Sequence, residues 1–183
     1  MAEFSPGLEG VVAAETAVSE VDGANGRLIY RGGYLIEDLV PVVSYEEVAY
    51  LLWHGELPNE SELDALRQHM AAVRNLNKSA RGTLMAIDPA TDPMDVLRTV
   101  VSAQGASKTL AKPTLEEAIA LTAVFPTIVG AAYRRRQGKE PIEPRDDLGH
   151  AANLLWMMEG TEPSAEKAHW VDTYLVLLAD HGL

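Results

Sequence analysis

The chain has 183 residues, 47% of them hydrophobic, which is enough for a packed core and too apolar for a disordered segment. It contains no cysteine, which excludes disulfides and thiolate metal sites and fits a reducing compartment. With 27 acidic against 15 basic residues and a net charge of −12, it repels a phosphate backbone, so no nucleic-acid partner is expected.

The first 33 residues differ from the rest. Val11 to Val21 is rich in Val, Ala and Thr. Asp22-Gly23-Ala24-Asn25-Gly26 follows, then Arg27-Leu28-Ile29-Tyr30-Arg31. Turn residues that tolerate positive φ, flanked by apolar runs, predict a β-hairpin or a pair of short extended segments, ended by Gly32 and Gly33. From Tyr34 onward the signals are helical. Ser44-Tyr45-Glu46-Glu47 is a capping box that opens a helix through Val48, Leu51 and Leu52, closed by Gly55. Pro58-Asn59 starts a second helix, with Leu63, Leu66, Met70 and Val73 at helical spacing. A shorter one is expected over Ser79 to Ile87. Asp92 caps another, with Pro93 in its first turn, that continues through Val96, Leu97, Val100 and Val101.

Thr114-Leu115-Glu116-Glu117 is a second capping box. The helix after it is apolar almost all round (Ile119, Leu121, Val124, Phe125, Ile128, Val129), the mark of a helix buried on most sides in a core or at a subunit contact. Pro126 predicts a kink in it, and Gly138 a stop. Pro141 and Pro144 make an extended linker, and Asp146 or Asp147 is expected to cap the next helix, which ends at Gly160. Ser164 caps the last helix, with Val171, Tyr174, Leu175 and Leu178 on one face. No repeat and no βαβ alternation is present. The expected fold class is therefore all-α with a short N-terminal β-hairpin: an extended segment over 1–33 and a helical part over 34–183. The last helix is apolar almost to Leu183, where a polar tail is usual, so the fold is expected to continue.

Arg134, Arg135, Arg136 and Lys139 form the main basic cluster. It reads as a solvated helix end whose cations suit the helix dipole, in preference to an anion site. Apolar stretches are broken by charge short of about 18 residues, and the first six residues have neither a basic nor an apolar signal region. The expectation is a soluble cytoplasmic protein with no membrane partner.

Nucleotide-binding glycine loops, H-E-x-x-H and G-x-S-x-G are all absent. There are five histidines, His54, His69, His150, His169 and His181, and no two have the spacing of a helical metal pair, so no metal site is expected. His54 stands at a helix C-terminus, where a cation suits the dipole. His69 and His169 read as surface residues. His150 lies in Gly149-His150-Ala151-Ala152-Asn153, whose small neighbours suit a packed helix–helix contact. His181 follows a buried helix in Ala179-Asp180-His181-Gly182-Leu183, a place from which a polar group can face a cleft. Asp180 either orients that imidazole or caps the helix end.

Several stretches resemble the bacterial and archaeal citrate synthase family. They are Gly7-Leu8-Glu9-Gly10-Val11-Val12-Ala13, the segment DGANGRLIYRG from Asp22 to Gly32, and Ile36-Glu37-Asp38-Leu39. Ser44 to Pro58, Pro93 to Thr99, Gly138 to Ile142 and His150 to Asn153 follow in the same order, and Ala179 to Leu183 is similar to the family's H-A-D-H-G-L stretch. The match spans the chain. Three positions depart from the family pattern: Leu178 stands where the first His of H-A-D-H belongs, Asp92 where a His often precedes P-M-D, and Gly33 is an extra residue.

The resemblance implies the N-terminal part of a helical large domain, with the small domain absent. It implies condensation of oxaloacetate with acetyl-CoA and water to citrate and CoA, in a homodimer. No cofactor is implied, since acetyl-CoA enters as a substrate. His181 matches the family's oxaloacetate-binding His. The later His and Asp that perform the acid–base steps lie beyond Leu183, so no catalytic residue maps onto this chain, which is expected to be inactive alone. Two alternatives accompany this reading: a 2-methylcitrate synthase using propionyl-CoA, and a non-catalytic helical module completed by a partner chain.

Overall fold

Strands β1 (Ser19–Asp22) and β2 (Arg27–Tyr30) form the expected hairpin, antiparallel, with Ser19 opposite Tyr30 and Asp22 opposite Arg27. The Asp22 carboxylate holds the turn by accepting the backbone N–H of Asn25 at 3.1 Å and its side-chain amide at 2.8 Å. The sequence reading places Tyr34 and Leu35 on the helical side of the boundary. In the structure they are a third strand, β3 (Tyr34–Leu35), antiparallel to β2, in the order β1-β2-β3. Left-handed backbone at Arg31 (φ 47°) and Gly32 (φ 72°) turns the chain back and brings Tyr34 opposite Tyr30.

The computed structural model describes residues 15–105 and 112–181, with Gly7 and Gly10 besides. Apart from those two glycines, the opening stretch 7–13 lies outside the described residues, as do Gly182 and Leu183. Among the described residues eight helices follow the sheet: α1 (Ile36–Leu39), α2 (Tyr45–His54), α3 (Glu60–Val73), α4 (Lys78–Ala86), α5 (Pro93–Gly105), α6 (Leu115–Arg136), α7 (His150–Glu159) and α8 (Ala165–Leu177). The fold is all-α with a small sheet.

Local capping explains most of the boundaries. Ser44, Asn59 and Thr114 each form a reciprocal capping box, with Glu47, Glu62 and Glu117 respectively. Asn77 caps α4 through the Ala80 N–H at 2.9 Å, one residue earlier than the sequence suggests. Asp92 accepts the Met94 N–H at 2.9 Å at the start of α5, and Ser164 caps α8. The exception is α7. Neither Asp146 nor Asp147 caps it; its N-cap is Gly149, which has no side chain to offer, and Asp147 pairs with Arg145 instead.

Helix α6 is the centre of the packing. It continues as one helix through Pro126, so the expected kink does not divide it. Leu84, Val96, Val100, Val124 and Ile128 form one core with α4 and α5, while Leu66, Met70, Ile119 and Ala123 form another with α3. Against α7 the approach is close: a Cβ built on Gly130 would stand 2.7 Å from the Met157 Cβ. By length and composition α6 could cross a membrane, which a search for uninterrupted apolar stretches misses, but its buried face is the middle of these two cores. Its basic end is also more than a solvated tip. Arg135 donates to the carbonyls of Met85 and Ile87 at 3.0 Å each, satisfying the C-terminal end of α4.

A third core joins the sheet to α2 and α8 through Tyr30, Leu39, Val48, Leu51 and Val176. Only Val176 of α8 is fully buried there. The α8 face named from the sequence is only half covered: Val171 and Leu175 are half-buried, while Tyr174 is 62% and Leu178 58% exposed, and Trp170 beside them is 63% exposed.

Candidate functional site

Two polar centres stand on this scaffold. The first is the segment carrying His181. Helix α8 ends at Leu177, and Leu178 to His181 follow without regular structure. The segment is fastened from the sheet. Tyr30, wholly buried on β2, points its hydroxyl at the end of α8, 3.1 Å from the carbonyl oxygens of both Val176 and Asp180. The same oxygen accepts the Asp180 N–H at 3.3 Å. Burial raises the pKa of this phenol, so it keeps its proton and remains a donor. From β1 the Ser19 hydroxyl donates to the Asp180 carboxylate, so Asp180 is drawn towards the sheet. His181, one residue on, is exposed. An imidazole held this way can donate hydrogen bonds to a carboxylate or a carbonyl oxygen.

The second centre lies where α2, α7 and α8 meet. The carboxylate of Asp172 on α8 accepts the N–H of Tyr45, the first residue of α2, with both oxygens 3.2 Å away. Glu46, next in α2 and almost fully buried, accepts the N–H of His150, the first residue of α7, at 2.9 Å. Glu46 thus does for α7 what the sequence assigns to Asp146 or Asp147. Each carboxylate also meets the positive end of a helix dipole. Arg74 closes the group: its guanidinium donates to the carbonyls of Arg145 and Leu148 at 3.1 Å each and holds the linker that leads into α7. A cavity of about 450 Å³ opens beside these residues, with Arg67 and His169 on its rim.

Burial dominates the titration of this second group. His150 is buried, with its ring tilted over that of Tyr45 at 4.8 Å, and desolvation lowers its pKa from 6.5 to about 4. Burial, reinforced by the nearby Glu46 and Glu47 charges, raises the Asp172 carboxyl from 3.8 to about 6. Glu46, Arg74 and Asp172 were not candidates from the sequence. The one local trace is Glu46, a second acid beside the capping Glu47 at a position that the helix turns inward.

The other histidines fall as the sequence suggests. His54 stacks on Tyr50 at the end of α2, with ring centroids 4.0 Å apart, and His69 pairs with Glu116 at 2.7 Å. His169 is exposed and His150 is packed between helices. None of them shares the His181 segment.

Comparison with known proteins follows the same line. A family model described as "Citrate synthase, C-terminal domain" matches residues 7–183. The citrate synthase of Haloferax volcanii is 44% identical over 99% of this chain and 50% of its own length. A 2-methylcitrate synthase of Mycobacterium tuberculosis is 38% identical over 98% of this chain and 46% of its own. Among solved structures, a Thermoplasma acidophilum citrate synthase in ternary complex with carboxymethyl coenzyme A and oxaloacetate superposes with a TM-score of 0.92 at 26% identity, over 99% of this chain and 49% of that one. The chain therefore spans about half the length of the relatives it matches.

Proposed function

We propose, because this chain belongs to the citrate synthase family, that it is part of an enzyme that condenses oxaloacetate with acetyl-CoA and hydrolyses the resulting thioester to citrate and CoA. One observation carries the assignment of a residue: the Ala179-Asp180-His181 stretch, which matches the family's oxaloacetate-binding motif, is the segment tied to the sheet by Tyr30 and Ser19. His181 is the oxaloacetate ligand in this reading, donating hydrogen bonds to the dicarboxylate. Forming the acetyl carbanion needs a positioned base and a polarised thioester oxygen. A single exposed imidazole does not supply both. The remaining half of the family's length supplies the acid–base residues, and the 183 residues alone are inactive.

The test is oxaloacetate-dependent release of free thiol from acetyl-CoA. Full-length enzyme is expected to show it and the 183-residue chain to show none; turnover by the verified short chain overturns the second half of this reading. A second reading is favoured by the similarity to a 2-methylcitrate synthase, namely that propionyl-CoA is the better substrate. The ratio of kcat/KM for the two acyl-CoAs in the full-length enzyme decides between them. The open α8 face, with Trp170 and Tyr174 exposed, supports completion by a further polypeptide segment, covalent or not.

A further inference from the structure

The sheet is small and lies at the edge of a helical body, yet its most buried residue points away from the strands. Tyr30 is 0% exposed, and its hydroxyl reaches residues 146 and 150 positions further along the chain. One phenolic proton is shared between the Val176 and Asp180 carbonyls, and one lone pair takes the Asp180 N–H. The Val176 carbonyl belongs to the last turn of α8, where the Ala179 N–H reaches it only at 3.4 Å, and the Asp180 carbonyl lies three residues beyond the end of the helix. Ser19, paired with Tyr30 in the sheet register, takes the Asp180 side chain. Two adjacent strands therefore hold the backbone and the side chain of the same residue. Arg31 extends the clamp to α2 by donating to the Leu52 carbonyl at 2.8 Å.

Helix α8 needs this restraint. It buries only Val176 fully, and its outer face is open. Its other polar tethers, Lys167 to Glu159 of α7 and Asp172 to the start of α2, lie fourteen and nine residues before His181 and fix the helix body, not its end.

We infer that Tyr30 and Ser19 are positioning residues for His181: the β1–β2 hairpin sets where the imidazole meets the substrate dicarboxylate. The inference rests on the reading of His181 as the oxaloacetate ligand. Neither residue touches substrate. Each acts by fixing the peptide on which His181 is carried, since small displacements of a ligand-binding group weaken its hydrogen bonds steeply.

The experiment is a cycle in the full-length enzyme with Tyr30→Phe, His181→Ala and the double variant, each assayed for oxaloacetate KM at saturating acyl-CoA and for acyl-CoA KM at saturating oxaloacetate. Tyr30→Phe keeps the ring and removes the clamp. It is expected to raise the oxaloacetate KM about 3- to 10-fold, the equivalent of one lost hydrogen bond, with the acyl-CoA KM unchanged. In the His181→Ala background the same change is expected to add nothing further. Ser19→Ala, an edge-strand change that leaves the core intact, is expected to move the oxaloacetate KM in the same direction by less, and it serves if Tyr30→Phe does not fold. If His181→Ala leaves the oxaloacetate KM unaltered, the reading of His181 falls and this inference with it. If His181→Ala raises it while Tyr30→Phe and Ser19→Ala do not, the reading stands and the positioning role is overturned. Full additivity in the double variant, or equal effects on both substrates, also overturns it.

Discussion

A single buried carboxylate, Glu46, decides how α7 begins. Gly149 offers no cap, and the His150 N–H would be an unpaired donor inside the protein without the Glu46 oxygen 2.9 Å away. Glu46→Ala is therefore expected to destabilise the fold by about 1–3 kcal/mol, seen as a lowered Tm, with Glu46→Gln milder because an acceptor remains. An unchanged Tm for Glu46→Ala would show that α7 needs no cap from α2. Its neighbours predict a pH dependence with two opposing signs. The folded His150 has its pKa lowered to about 4, so below about pH 6.5 the unfolded chain binds a proton that the folded chain refuses, and stability falls as pH drops towards 4. Asp172, raised to about 6 by burial, works the other way. The folded chain takes up that proton first, so lowering the pH from about 6 towards 3.8 relieves the burden of an ionised, half-buried carboxylate. The two windows overlap and offset each other. Asp172→Asn removes the relieving half, so its denaturant midpoint is expected to fall more steeply between pH 6.5 and 4 than that of the unaltered protein. Parallel profiles would refute the opposition.

Helices were legible in the sequence wherever their ends are set locally. The boxes at Ser44 and Thr114, the Asp92-Pro93 start and the Gly160 stop each lie within four residues of the boundary they fix, and all appear in the structure. What escaped is set from a distance. The cap of α7 comes from Glu46, 104 residues earlier, and β3 exists because left-handed backbone at Arg31 and Gly32 folds the chain back on β2. The seat of α6 on α7 is likewise invisible in the periodicity of either helix, since it depends on which small residue faces which large one. Gly130 lies in mid-helix, where glycine is unfavourable by about 1 kcal/mol relative to alanine. Alanine there would nevertheless press its Cβ to 2.7 Å from the Met157 Cβ, with the Met157 backbone next in line. The clash outweighs the gain in propensity, because neither atom is the free end of a side chain. Gly130→Ala is expected to destabilise by about 1–3 kcal/mol, and a Tm at or above that of the unaltered protein would mean the two helices can separate without loss.

The candidate site shows the same division between near and far at the scale of the whole molecule. His181 was found through the resemblance of its flanking residues; its tethers, Tyr30 and Ser19, lie more than 140 residues away and carry no signal of a site in their own segment. The molecule also leaves apolar surface uncovered, including Leu121 and Val129, which the sequence assigns to a core or a subunit contact. Leu121, Val129 and Tyr133 of α6 are 43%, 38% and 43% exposed, and Met94 of α5 is 65% exposed. An apolar cavity of about 250 Å³ runs between these helices beside Leu97, Val129 and Met158. Such a surface favours self-association, while a net charge of −12 opposes it over long range. The balance gives the expectation a sign. If the apolar contact drives a homodimer, screening the charge with salt should strengthen it, since the Debye length falls to about 3 Å at 1 M. Light scattering is expected to show a dimer that persists or tightens in high salt, and Val129→Glu, which places a charge in the middle of the patch, is expected to give a monomer. A dimer that dissociates as salt rises would mean that ion pairs, not the α5–α6 face, hold the copies together, and a monomer at low and high salt alike would mean that this surface is covered by something other than a second copy.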